Sequence, residues 1–123
     1  MERSPLILLV EDDAAIRDAV AECLETEGYR VQAAGDGAEA LTWLARGERP
    51  ALIVLDLVMP VMNGAELLAQ VRASPALERV PTLLMTAAIV AGTTPLPAAD
   101  ATLVKPFDLD QLLGAIGRLV PRA

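Results

Sequence analysis

Acidic side chains at the ends of two apolar runs carry the first chemical signal in the sequence. Leu6-Ile7-Leu8-Leu9-Val10 stops abruptly at Glu11-Asp12-Asp13, and Ala51-Leu52-Ile53-Val54-Leu55 stops at Asp56. Two more apolar segments end in polar groups of other kinds. Thr82-Leu83-Leu84-Met85 ends at Thr86, and the segment from Ala101 to Val104 ends at Lys105. Carboxylates gathered in one crevice repel each other and resist ionising together. A bound Mg²⁺, which takes hard oxygen ligands, offsets that repulsion. An ammonium and a hydroxyl beside it suit a phosphoryl group, whose transfer needs mainly positioning and charge neutralisation. A carboxylate can then act as the nucleophile and form an acyl phosphate.

Taken singly, each of these residues has an ordinary reading. Acids favour helix N-termini, so Glu11-Asp12-Asp13 alone is a helix start, with Asp13 as its N-cap. Asp56 alone is a turn residue, Lys105 a surface lysine, and Thr86 a strand-end residue. The chemistry depends on whether the four segments bring their ends together.

The patterning says that they do. Unbroken apolar runs suit strands buried on both faces, as in a parallel sheet. A short strand is also expected around Tyr29 to Ala33. Between the strands lie helical patterns. Ile16, Ala19, Val20, Cys23 and Leu24 repeat at helical spacing before Gly28. Asp36, with Glu39 three residues on, opens a helix carrying Ala38, Leu41, Leu44 and Ala45 on one side. Leu67, Leu68 and Val71 mark another after the loop of Pro60, Asn63 and Gly64. Asp108 and Gln111 cap a last helix with a stripe of Leu109, Leu112, Leu113, Ile116, Leu119 and Val120. Cys23 and Trp43 read as packing residues. Strands alternating with helices predict an α/β fold: a doubly wound five-stranded parallel sheet of flavodoxin-like order 2-1-3-4-5. In such sheets ligands sit at the carboxyl ends of the strands, where Glu11, Asp12, Asp56, Thr86 and Lys105 all fall.

Composition removes other functions. The chain has 123 residues, enough for one domain over 1–123 and little more. Its formal charge of −7 argues against direct nucleic-acid binding, which needs clustered Lys and Arg. It has no histidine, so His-based triads and a phosphohistidine carrier role are excluded. One cysteine permits neither an internal disulfide nor a thiolate metal cluster. The first apolar run is too short for a membrane span or signal-peptide core, and a cytoplasmic protein is expected.

The ordered set of motifs resembles the receiver domain of two-component response regulators, in the CheY-like superfamily. The matching residues are Leu9-Val10-Glu11-Asp12-Asp13, Val54-Leu55-Asp56-Leu57-Val58-Met59-Pro60, Asn63-Gly64, Met85-Thr86-Ala87 and Leu103-Val104-Lys105-Pro106-Phe107. They cover nearly the whole chain in order. The resemblance implies that Asp56 is the phosphoacceptor. It implies that Asp12 ligates Mg²⁺ directly, Glu11 mostly through water, and the backbone carbonyl of Val58 as well as Asp56 completes the set. Thr86 would bond a phosphoryl oxygen, and Lys105 would pair with the phosphoryl group or with Asp56. The implied donor is a phosphohistidine on a sensor histidine kinase or a histidine phosphotransfer protein. Output would pass to a downstream protein target, and the domain would be no enzyme beyond catalysing its own phosphorylation.

The sequence departs from the family in three places. Between Thr86 and Lys105, Gly92, Pro95 and Pro97 oppose a regular helix, so a shortened or irregular fourth helix is expected. Thr102 stands where many members carry Tyr or Phe. Val58 and Ala88, at positions that usually flank the attacking water, are apolar, which implies slow self-dephosphorylation. Two rivals remain. A phosphatase of the haloacid dehalogenase type would want an Asp where Val58 stands. A phosphorylation-independent pseudo-receiver fits Thr102 and the odd stretch but not the complete acidic pocket.

Overall fold

Alternate residues of the strands point to opposite faces, and both faces are apolar. Ile7, Leu9, Leu52, Val54, Leu83 and Met85 join one core cluster, with Val20, Leu24, Leu112 and Ile116 from the helices on that side. Leu8, Val10, Ile53, Leu55 and Leu84 join the other, with Ala40, Leu44, Leu67, Leu68 and Val71. That double burial is why the strands read as unbroken apolar runs.

The computed structural model describes residues 4–59, 61–87 and 97–120. Among them the strands are β1 (Leu6–Val10), β2 (Arg30–Ala34), β3 (Leu52–Asp56), β4 (Thr82–Ala87) and β5 (Ala101–Lys105). The helices are α1 (Ala14–Thr26), α2 (Gly37–Leu44), α3 (Gly64–Ala73) and α4 (Leu109–Leu119). All four strand pairings are parallel, and the order is β2-β1-β3-β4-β5, as expected. Helices α1 and α4 cover one face, α2 and α3 the other. The irregular helix expected between β4 and β5, with Ala88, Gly92 and Pro95, falls on residues 88–96, outside the described residues.

Side-chain caps fix where the helices begin. Asp13 accepts the Ile16 N–H at 3.0 Å, and Asp36 accepts the Glu39 N–H at 2.8 Å. Complete capping boxes open α3, between Asn63 and Glu66, and α4, between Asp108 and Gln111. The α3 box has a local signal that sequence reasoning missed, Asn-x-x-Glu before Leu67. Two inner faces differ from the expected ones as well. In α1, Ile16 and Ala19 are exposed, and Val20 and Leu24 turn inward with half-buried Ala21 and Cys23. In α2, Gly37, Ala40 and Leu44 face the core, whereas Ala45 is exposed. The phase of α2 follows from its first residue. A Cβ on Gly37 would stand 2.8 Å from Met62, so the helix lies against the loop after β3 on a side that needs glycine. Trp43 is half-buried against that core, as expected.

The far end of the sheet is tied by a polar network. Arg72 of α3 donates to the Glu78 carbonyl, to Thr82 Oγ1 and to Asp100 Oδ2, and Asp100 accepts the Thr82 N–H at 2.8 Å. The chain entering β5 is thereby anchored to the start of β4.

Candidate functional site

Strand parity assembles the site. Ile7 and Leu9 lie on the α1/α4 face, and the same alternation carried just past β1 reaches Glu11. Leu52 and Val54 lead to Asp56, and Ala101 and Leu103 lead to Lys105. These three side chains therefore emerge on one side of one sheet edge. Strand β3 ends one residue later than the apolar run suggested, so Asp56 is its last ladder residue, opposite Met85. One further bond lies just past the strand, where the Leu57 N–H donates to the Met85 carbonyl at 3.0 Å.

Lys105 Nζ donates to Asp56 Oδ2 at 2.7 Å and to Glu11 Oε1 at 3.2 Å. Glu11 is 1% exposed and Asp56 7%, so a single ammonium lies between two buried carboxylates. Asp12 is exposed at the pocket mouth, and the carboxylate oxygens of Glu11, Asp12 and Asp56 lie within 4.8 Å of one another. The expected trio and Lys105 are thus brought together. The Lys105–Glu11 pair went unforeseen, because no spacing in the sequence relates residues on β5 and β1.

Burial, and then the neighbouring Asp56 carboxylate, push Glu11 up from 4.5 to about 7, and Lys105 pulls it only partly back. Burial alone would lower Lys105. Its hydrogen bond to Asp56 and the charges of Asp56 and Glu11 outweigh that, and hold the ammonium above its ordinary value. Two carboxylates with one ammonium remain short of positive charge. Three hard oxygen donors at this spacing fit a divalent cation of the Mg²⁺ or Ca²⁺ kind.

The remaining expected residues stand around this pocket. The Val58 N–H donates to Asp56 Oδ1 at 3.2 Å, so the loop after β3 folds back over the acceptor. Thr86 has the parity of Leu84, opposite to that of Asp56. It is fully buried, and its hydroxyl has no hydrogen-bond partner among the described residues. A buried hydroxyl normally has one, so Thr86 carries an orphan polar atom at the same sheet edge. Thr102, where a ring was absent from the sequence, is exposed on β5. Behind Asp56, Gly64 lets α3 begin against the strand: a Cβ there would run into the Asp56 carbonyl and stand 2.8 Å from Leu57 Cα. The Gly64 N–H donates to the Leu57 carbonyl at 2.8 Å.

The model of the response regulator receiver domain matches residues 7–117. The chain belongs to this family. Receiver domains are the signal-accepting modules of response regulators, and several relatives of this chain bear the name response regulator. The response regulator MprA of Mycobacterium leprae is 40% identical over 121 residues, which are 94% of this chain and 51% of that protein. The chain spans about half the length of the curated relatives it matches. Among solved structures, the response regulator TrrA of Thermotoga maritima, in complex with Mg²⁺ and a beryllium fluoride, has a TM-score of 0.83 at 31% identity. The match covers 94% of this chain and 99% of that one. The receiver domain of a sensor histidine kinase from Pseudomonas aeruginosa, with magnesium in its active-site cleft, has a TM-score of 0.85 at 30% identity, covering 94% of this chain and 96% of that one. In this receiver no helix among the described residues is long and apolar enough to cross a membrane.

Proposed function

We propose that this receiver takes a phosphoryl group onto Asp56 from a phosphohistidine and holds it beside a divalent cation, Mg²⁺ by preference. The observation that carries the proposal is the convergence of Glu11, Asp12 and Asp56 with Lys105 at one sheet edge. Asp12 and Asp56 would hold the ion directly, with the Val58 carbonyl, and Glu11 through water. When bound, the ion supplies positive charge to the phosphoryl oxygens and lessens the repulsion among the carboxylates.

The chain's own residues do the rest. An Asp56 carboxylate oxygen attacks phosphorus, a P–O bond forms, and the P–N bond of the donor imidazole breaks with its electrons passing to nitrogen. The Lys105 ammonium, already 2.7 Å from Asp56, follows the negative charge onto the phosphoryl group. The Thr86 hydroxyl supplies a donor to a phosphoryl oxygen, which ends its unpaired state. The domain does not turn over a substrate, since the acyl phosphate stays on its own carboxylate.

Residues 1–123 form one receiver domain in this reading, and its partners are a sensor histidine kinase or a histidine phosphotransfer protein and a downstream protein. It works in the cytoplasm and makes no direct contact with nucleic acid. Mass spectrometry after treatment with Mg²⁺ and acetyl phosphate tests the acceptor. The native chain gains one phosphoryl mass and Asp56→Asn gains none. A gain on both moves the acceptor elsewhere, and a gain on neither favours a pseudo-receiver. Val58, 62% exposed beside Asp56, cannot orient a water by hydrogen bonds, so the acyl phosphate is long-lived. Its decay at neutral pH without phosphatase measures this, and rapid loss contradicts it.

A further inference from the structure

Arg17 sits where a cation is out of place. It lies in the opening turns of α1, next to the positive end of the helix dipole, where residues 14–16 contain no acid and the one carboxylate is that of the N-cap Asp13. Its guanidinium reaches back past the N-cap Asp13 and donates from Nη1 to the backbone carbonyl of Glu11 at 2.8 Å. The tips of Arg17 and Glu39 both lie beside Gly35, 3.6 and 3.4 Å from where a Cβ on that residue would be, which is ordinary van der Waals contact.

The carbonyl that Arg17 holds belongs to the peptide joining Glu11 to Asp12. Those are the two acidic residues that β1 delivers to the pocket. The N–H of Glu11 is still fixed by the sheet edge, donating to the Ala34 carbonyl at 3.1 Å. Beyond it the ladder stops. The direction of the next peptide, and with it the departure of the Asp12 side chain, is set by two contacts. One is the Arg17 bond to the carbonyl, and the other is the Asp13 N–H donating to Glu11 Oε2 at 3.3 Å. A buried carbonyl left unpaired turns to find a partner, and a turn of this peptide swings Asp12 away from Asp56.

We infer that Arg17 is a positioning residue for the divalent-cation pocket, acting through the Glu11 carbonyl and not through its charge on the carboxylates. This rests on the reading of Glu11, Asp12 and Asp56 as cation ligands. Groups that orient ligands from behind commonly change metal affinity by roughly tenfold or more when removed.

Isothermal titration with Mg²⁺ on the folded chain, well below its melting temperature, tests the inference. Arg17→Met, which retains the aliphatic stem but has no donor, raises the Mg²⁺ dissociation constant roughly tenfold. Arg17→Lys, which retains one donor, recovers part of the loss. A merely structural arginine would change the melting temperature and leave the affinity of the folded protein alone. An Arg17→Met chain that binds Mg²⁺ as tightly as the parent overturns the inference. Should that variant not fold, the parent itself decides. The Arg17 guanidinium NMR signals shift with Mg²⁺ at the same midpoint as the Asp12 amide, and guanidinium signals that ignore Mg²⁺ overturn it equally. Asp12→Ala is the control for the pocket. A folded parent chain that takes up no Mg²⁺ counts against the pocket itself, whereas Mg²⁺ uptake lost in Asp12→Ala but unchanged in Arg17→Met counts against Arg17 alone.

Discussion

Glu11 is the residue whose titration reports the state of the pocket. Burial and the Asp56 carboxylate raise it to about 7 in the cation-free chain, above the ordinary 4.5. A folded value above the unfolded one favours folding below the unfolded value, and that contribution disappears as pH rises through the folded value. The cation-free chain therefore loses this increment between about pH 4.5 and 7. A bound cation opposes the protonated form, so Mg²⁺ uptake displaces a proton and tightens as pH climbs toward and past about 7. Calorimetric titrations in buffers of different ionisation heat measure the proton released. A dissociation constant that stays flat across about pH 6 to 8 would show that Glu11 is already ionised without the ion.

At the scale of elements, the loop from β3 to α3 bears the strain. Val61 has a φ of 66°, a left-handed conformation that a β-branched side chain disfavours, and it is 82% exposed with no packing to compensate. The flanking residues explain why it persists. Met59 is buried, Met62 packs against the α2/α3 core, and the Met62 carbonyl accepts the Gly37 N–H at 3.3 Å. Val61→Gly removes the side-chain conflict at little loss of contact and raises unfolding free energy by about 1 kcal/mol in urea titration. Gly64→Ala does the opposite. Its Cβ meets the backbone of Asp56 and Leu57, which cannot move without moving the Asp56 side chain, so stability falls by about 1–3 kcal/mol. Phosphoryl uptake falls with it. Melting and acetyl-phosphate labelling of the same two variants separate strain from site geometry, and a Gly64→Ala chain that labels like the parent refutes the coupling.

For the whole molecule, the formal charge of −7 and the acidic pocket act in the same direction. A ligand that binds only the folded chain stabilises it by mass action, about 2.7 kcal/mol when its concentration is a hundred times its dissociation constant. Mg²⁺ therefore raises the melting temperature in a concentration-dependent way, beyond the effect of the same ionic strength of NaCl. Asp12→Ala abolishes the difference between the two salts. Equal shifts with both salts in the parent would point to general screening and no site.

The sequence by itself determined the strands and the acidic ends, because unbroken apolar runs and helical spacing are properties of neighbouring residues, and the strand order followed from the rules for alternating strands and helices. Leu6–Val10 and Leu52–Leu55 announce buried strands, and Asp13, Asp36 and Asp108 announce helix starts, without reference to anything distant. Knowing the fold, the meeting of Glu11, Asp12 and Asp56 followed from the rule for strand ends. Only the tertiary structure decided how the charges pair and how the helices face. Lys105 shares itself between Asp56 and Glu11; Ile16, Ala19 and Ala45 face outward although helical spacing grouped them with inward residues; and Arg17 closes on a backbone carbonyl. Such contacts join atoms whose separation depends on packing angles and on the absence of a side chain at Gly37 and Gly64, which no local pattern encodes.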